Sequence, residues 1–289
     1  MKTVLITGAN GYLANYIYHK QKENFHWIRM TRKDADLSKP DDVEAFVRSQ
    51  DFDICFHTAA NATTAVCEDQ PELAQAINVE STKRIVDVCK EKGARLIFCG
   101  TEQEYNGKEN CGPFKEEEPT QSVTVYGQNK IECEKYIQEN LDDAICLRFS
   151  WMMGLSFDGI KASPSIIKNV MNALLTQTPT KFTCNEKRCL TYAKHLASQF
   201  DKITQLPAGT YHVASANTYT TYEAAVYIAQ QLGATAEAIE AYILPNMERY
   251  ADRFRDYRLD SSKIQSHGIQ LATFEEDVES LLKDFGWQV

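Results

Sequence analysis

The chain has 289 residues, 43% of them hydrophobic, and a formal net charge of −9. That is enough apolar material for one large or two modest domains, and so acidic a balance argues against unspecific nucleic-acid binding, which relies on basic surface. No stretch approaches the length of a membrane span, the apolar run at the start is too short for a signal peptide, and nine scattered cysteines without a C-x-x-C pair predict reduced, structural thiols in the cytoplasm.

Taken in chain order, residues 2–7 form a short apolar, β-branched run closed by Gly8, which predicts a buried strand. A helix follows over 13–22, a second strand over 26–30, a helix over 40–49 with Val43, Phe46 and Val47 on one face, and a third strand over 54–57. A long helix is expected over 72–92, ended by Gly93. A fourth strand over 95–99, a helix over 125–140 and a fifth strand over 144–149 complete the regular half. This alternation predicts an α/β fold, a doubly wound parallel Rossmann sheet with helices on both faces. Beyond Trp151 the rhythm breaks: helices over 164–175, 222–232 and 274–285, short segments near Phe182 and Leu190, and one more strand over 210–214. We therefore expect residues 1–150 to form the dinucleotide-binding domain, rejoined by about 189–216, and residues 151–188 and 217–289 to form a smaller, interleaved substrate domain.

Thr7-Gly8-Ala9-Asn10-Gly11-Tyr12-Leu13-Ala14 sits between the first strand and the first helix. There Gly8 supplies the tight turn, Gly11 has no side chain to block a pyrophosphate, and small Ala14 lets the helix pack close to the strand. A lone glycine pattern is weak, but its place after a strand and before a helix predicts cofactor binding through Gly8, Asn10, Gly11, Tyr12 and Leu13. The second strand ends in Met30-Thr31-Arg32-Lys33, without the acid that would bind the ribose 2′-hydroxyl of NAD. Arg32 facing a 2′-phosphate favours NADPH over NADH; a solvated basic turn is the bland alternative.

Tyr126 and Lys130 stand four apart at the start of a helix, on one face. A neighbouring ammonium lowers a phenol's pKa and fits the pair to pass a proton to a ketone oxygen. Thr101 follows the fourth strand, where its hydroxyl can bond the same oxygen. Alone, Tyr126 and Lys130 would read as a surface pair; with the glycine turn and Thr101 they predict a catalytic set. Cys184, Cys189 and His195 match no zinc spacing, so no metal is expected.

These residues together resemble the extended short-chain dehydrogenase/reductases, and among them the dTDP-4-dehydrorhamnose reductases, over nearly the whole chain. Asp36-Leu37 is similar to the family's adenine-side Asp, His57-Thr58-Ala59-Ala60 to the segment under the cofactor, and Ile77-Asn78-Val79 to the central-helix Asn-Val. The run from Gly100 to Gly107 lies without gaps on S-T-D-Y-V-F-x-G, Arg148-Phe149-Ser150-Trp151 resembles R-T-S-W, and Gly209-Thr210-Tyr211-His212-Val213 resembles G-x-Y-H-L. Arg253 and Arg258-Leu259-Asp260 resemble R-P-x-x-S-x-L.

The chain also departs from the pattern: Glu102-Gln103 replace Asp-Tyr, Asn129 replaces Ser/Thr, Met153 replaces Tyr and Phe254 replaces Pro. The resemblance implies an NAD(P)H-dependent reductase of a nucleotide-linked 4-keto-6-deoxy sugar, with hydride to C4 and Tyr126 as proton donor. It implies cofactor contacts from Asp36, Leu37, Thr58, Ala59, Ala60 and Asn78, and substrate contacts from Glu102, Gln103, Trp151, Arg188 and Arg253. For Trp151 a core position is an equal alternative. Arg188 and Arg253 are expected on the diphosphate, because a guanidinium forks onto phosphate oxygens; Arg249 and Arg255 read as solvated. Two other readings stay open: a nucleotide-sugar epimerase or dehydratase, the latter disfavoured because the amide of Gln103 cannot take a proton, and a non-catalytic regulatory subunit that keeps the cofactor. A homodimer is left open.

Overall fold

The computed structural model describes residues 1–287. Five strands, β1 (Thr3–Thr7), β2 (His26–Arg29), β3 (Ile54–His57), β4 (Arg95–Thr101) and β5 (Ala144–Phe149), join the later strand Gly209–Val213 in one six-stranded sheet. Every pair in it is parallel, and the order across it is Gly209–Val213, β5, β4, β3, β1, β2. Helices α1 (Tyr12–Gln21), α2 (Pro40–Ser49), α3 (Thr64–Asp69), α4 (Pro71–Gln75), α5 (Ser81–Lys92) and α6 (Val125–Asn140) connect the first five strands.

Parallel strands are covered on both faces, so their residues are apolar in both directions. Val4, Ile6, Ile54, Phe56 and Ile97 look into one core, closed by α1 and by Ala193, Leu196, Ala197 and Phe200. Leu5, Cys55, Leu96, Phe98 and Cys146 look into the other, closed by α2, α5 and α6. The period-2 alternation thus divides each strand between two cores.

The helix expected over 72–92 is present as a continuous run with a defect. α4 passes into a π-turn at Ala76–Glu80 and then into α5, ended by Gly93 at φ +63°. The Asn78 carbonyl in the π-turn accepts from the Thr82 hydroxyl at 2.6 Å and the Cys133 thiol at 3.1 Å. Such bulges mark places where a helix carries more than its own packing.

Beyond β5 the chain forms small parallel pairs, Trp151–Met153 with Leu190–Tyr192 and Thr180–Thr183 with Ile243–Asn246, among helices Ile166–Thr176, Thr221–Gln231 and Phe274–Asp284. The short helices Thr64–Asp69, Ala193–Ser198 and Ala236–Tyr242 were not expected; each is seven residues or fewer, too short to impose a period on the sequence.

Candidate active site

From β1 the chain steps out to β2 and then crosses back to β3 on the other side of β1. This reversal opens a crevice at the carboxyl ends of β1 and β3. Gly8 sits there at φ +63°, and a Cβ on it would stand 2.9 Å from the Ala59 Cα. Glycine is therefore required twice over, by the backbone angle and by the loop after β3. The Gly11 N–H closes the turn on the Gly8 carbonyl at 2.7 Å, and α1 begins at Tyr12 with no side chain capping its first N–H groups. Those uncapped donors, with the helix dipole behind them, fit a pyrophosphate.

A buried relay fixes the two loops. His57 Nδ1 meets the Thr7 hydroxyl at 2.7 Å, and its Nε2 meets the Thr82 hydroxyl at 2.9 Å. Burial first, then the Lys130 charge, pushes the His57 pKa down to about 3, so the ring is a neutral strut.

One cavity of about 1160 Å³ runs along this edge. Gly8, Asn10, Gly11, Tyr12, Leu13, Arg32, Asp36, Leu37, Thr58, Ala59 and Ala60 line it, and so do Thr101, Glu102, Gln103, Tyr126, Lys130 and Trp151. The residues fit a dinucleotide: uncapped helix N–H groups in the middle, an exposed Arg32 at one end, and the hydroxyl pair at the other.

The Thr101 side of the cavity is built by close packing of α6 against the turn after β4. A Cβ on Gly127 would stand 2.5 Å from the Gln103 carbonyl, so only glycine lets the first turn of α6 come this near. Thr124 caps α6 by accepting from the Gly127 N–H at 3.3 Å. Tyr126 and Thr101 thereby line the same cavity. Lys130 is buried, donates to the Cys99 carbonyl at 2.7 Å, and lies 5.9 Å from the centre of the Tyr126 ring. The expectation that Lys130 depresses the phenol needs correction. Burial, reinforced by the Glu102 charge, raises the Tyr126 pKa, and the Thr101 hydrogen bond only partly opposes this. The phenol stays protonated, the form that can donate.

Three expected contacts are not brought to the cavity. Asn78 is buried behind the loop after β3: its side chain accepts from the Asn61 N–H at 2.8 Å and donates to the Asn61 carbonyl at 3.1 Å. It shapes that loop rather than touching what binds there. Arg188, expected as a free cation for a diphosphate, is 5% exposed and already paired: its guanidinium meets Glu102 and, at 2.7 Å, Glu186. It is sandwiched by two rings, 4.8 Å from the centre of Trp151 and 4.9 Å from that of Tyr257. Two buried carboxylates already satisfy its charge, which leaves no free fork for a phosphate. Arg253 is half-buried beside Tyr257 and does not line the cavity. Trp151, by contrast, is 38% exposed into the cavity with Arg188 behind it, so it is not a core residue.

Sequence reasoning missed Asn61, Thr64 and Leu73, which line the cavity opposite Tyr126. Their nearness to Ala60 and to the long helix was the available signal. Among the described residues no group of three potential ligands is placed to hold a metal, and no helix is long and apolar enough to cross a membrane.

Comparison with known proteins agrees with this architecture. The family model described as RmlD substrate binding domain matches residues 1–286. The chain belongs to that family. The chain is 25% identical over 267 residues to dTDP-4-dehydrorhamnose reductase of Salmonella typhimurium, covering 86% of this chain and 85% of that protein. It is 26% identical over 300 residues to methionine adenosyltransferase 2 subunit beta of Xenopus laevis, covering 98% and 88%. The crystal structure of dTDP-4-dehydrorhamnose reductase from Bacillus anthracis in complex with NADP superposes with a TM-score of 0.85 at 21% identity, covering 98% of each chain.

Proposed function

We propose that the chain reduces the 4-keto group of a nucleotide-linked 4-keto-6-deoxy sugar, with NADPH as hydride source. The observation that supports this reading best is the meeting of Thr101, Tyr126 and Lys130 at the closed end of a cavity that begins at the glycine turn. A nicotinamide dinucleotide held by these residues would supply the hydride. Thr101 and Tyr126 bind the ketone oxygen as charge develops on it, and Tyr126 gives it the proton. Lys130, anchored on the Cys99 carbonyl, holds positive charge beneath the phenolate that remains. Trp151 covers one face of the sugar with its exposed ring.

Glu102 recognises the sugar rather than the phosphates. Its Oε1 faces Arg188 and accepts from the Gln103 amide at 3.1 Å, while its Oε2 accepts from the Thr101 hydroxyl at 3.3 Å. Arg188 fixes that orientation. With Arg188 engaged and Arg253 away from the cavity, neither supplies the diphosphate contact. Arg32 is the contact for the 2′-phosphate: the nearby Asp34 is turned onto the Thr31 N–H and hydroxyl, both at 2.8 Å.

The likeness to the methionine adenosyltransferase subunit supports a second, non-catalytic reading. Oxidation of NADPH followed against a panel of nucleotide 4-keto-6-deoxy sugars decides between them. Turnover with at least one, and a product two mass units heavier with no loss of water, is the expected result. A silent panel with tight NADPH binding would leave the subunit reading in possession.

A further inference from the structure

Directly beneath the Thr101 turn lies a second set of charges that the reaction above does not use. Glu104 is 0% exposed, Glu134 3% and Arg148 6%. Glu104 follows β4 in the turn Glu102–Tyr105, Glu134 comes from α6, and Arg148 from β5. Glu104 stands where the resembled reductase pattern has an apolar Val, so the family's scheme does not explain it.

The hydrogen bonds divide unevenly. Arg148 gives Nε to Glu134 at 3.0 Å, one Nη to Glu134 at 2.6 Å and the other to the Tyr105 hydroxyl at 2.6 Å. Glu104 Oε1 accepts the Thr101 N–H at 3.1 Å. Its Oε2 lies 2.9 Å from Arg148 Nε, but that N–H points at Glu134, and Oε2 is left with no hydrogen-bond donor. Two carboxyl groups thus face one guanidinium in a dry interior. If both were ionised, one negative charge would stay buried without a partner, which costs several kcal/mol. A proton on Glu104 removes that charge and turns the orphan oxygen into a donor toward Glu134. Both carboxyls face the same Arg148 nitrogen, Glu104 through Oε2 at 2.9 Å and Glu134 through Oε1 at 3.0 Å.

We propose that Glu104 is a positioning residue for Thr101, acting in its protonated form and sharing one proton with Glu134. Its carbonyl oxygen holds the Thr101 backbone in register, and its O–H closes the network on Glu134. The remaining pair, Glu134 and Arg148, is then neutral. Burial and the Glu134 charge both favour the proton on Glu104, and Arg148 opposes them. The other charged or titratable groups that face the cluster are Tyr105 on the same turn, Glu102 and Tyr126 at the cavity, Lys130 and Cys133 on α6, Cys146 on β5, and His212 on the sixth strand through Tyr105.

The role assigned to Thr101 rests on the reductase reading, so the test has an arm that does not. Infrared difference spectra of the purified protein against Glu104→Gln at neutral pH read the carbonyl stretch of a protonated carboxylic acid directly. The parent is expected to show it and the variant to lack it. Denaturant titrations from pH 5 to 7 give a second readout: the parent-to-variant ratio of unfolding constants should rise about tenfold per pH unit, the slope for one extra proton in the folded state. Absence of the band with a flat ratio overturns the proposal, whether or not the panel of sugars finds a substrate. Where turnover is found, Glu104→Ala should lower kcat at least tenfold with the cofactor Kd within twofold, and Glu104→Gln should restore most of it. A Glu104→Ala protein that folds and keeps the parent kcat overturns the positioning role even if the proton is there.

Discussion

Arg188 gives the sharpest test of the site's electrostatics, because its two readings differ in stability as well as in kinetics. An arginine kept free for a phosphate is a surface group, and its removal changes stability by at most about 0.5 kcal/mol. The observed Arg188 is 5% exposed, and Arg188→Met would leave Glu102 and Glu186, 3% and 1% exposed, facing each other without a cation. Breaking a buried pair in this way costs about 3–5 kcal/mol; the lost contacts with Trp151 and Tyr257 add to it. The assay is equilibrium unfolding in urea at pH 7. The triple change Arg188→Met, Glu102→Gln, Glu186→Gln should recover most of the loss, since neutral amides need no counter-charge. Acid should also shrink the defect. Without its cation Glu102, already raised by burial, rises further, so the penalty is present above the unfolded carboxyl pKa and fades below it. A stability loss under about 0.5 kcal/mol, together with a raised substrate KM, would refute this account and return Arg188 to the phosphates.

Three further outcomes follow from the same geometry. Tyr126→Phe should lower kcat by about 10²–10⁴, the scale of a lost general acid, with folding and cofactor affinity unchanged; steady-state and binding measurements on one panel substrate check it, and turnover within twofold of the parent would remove Tyr126 from the mechanism. Arg32→Glu should reverse a preference for NADPH, because a carboxylate repels the 2′-phosphate and accepts from a 2′-hydroxyl; fluorescence titration with both reduced cofactors reads it, and a parent that binds NADH more tightly defeats the premise. His57 and His212 are both pushed down to about 3, chiefly by burial. Their folded pKa values lie below the unfolded one, so the stability they permit is complete above about pH 6.5 and is lost as pH falls toward 3, at about 1.4 kcal/mol per unit for each ring. Proton NMR titration of the two rings tests this, and either ring titrating near 6.5 would contradict its neutral, buried role.

The residues that could be read in advance are those whose job is fixed by local spacing. Gly8 and Gly11 lie between a strand and a helix, and Tyr126 and Lys130 are four apart on a helix; both patterns survive any tertiary context. Strands β1, β3, β4 and β5 were equally legible, because a strand covered on both faces is largely apolar; β2, at the sheet edge, is exposed at His26 and Arg29. The polar residues whose role depends on remote partners were not. Arg188 meets Glu102 across 86 positions of sequence, and nothing near either residue tells whether the guanidinium looks toward a ligand or toward another side chain. Asn78 carried the right motif but acts at one remove, through the backbone of Asn61. Glu104 replaces an apolar position of the resembled pattern, and nothing near it in sequence shows that it is buried against Arg148.

Both acids of the Glu102–Tyr105 turn are paired with an arginine from another element, yet the pairings serve opposite ends. At Glu104 the guanidinium prefers Glu134, so the acid gains a proton and becomes part of the scaffold under Thr101. At Glu102 the guanidinium comes from below the cavity floor, holds one oxygen, and leaves the other beside the Thr101 hydroxyl. Thr101 is thus fixed through its backbone by one acid and flanked at its hydroxyl by the other. A ketone oxygen bound there would have a hydrogen-bond acceptor on one side and the protonated Tyr126 on the other. That asymmetry suits a substrate with a donor hydroxyl next to its carbonyl, since an acceptor in that place would meet the Glu102 oxygen lone pair to lone pair. Under the proposed reductase reading, the altered residues after Thr101 would therefore bear on which sugar is taken.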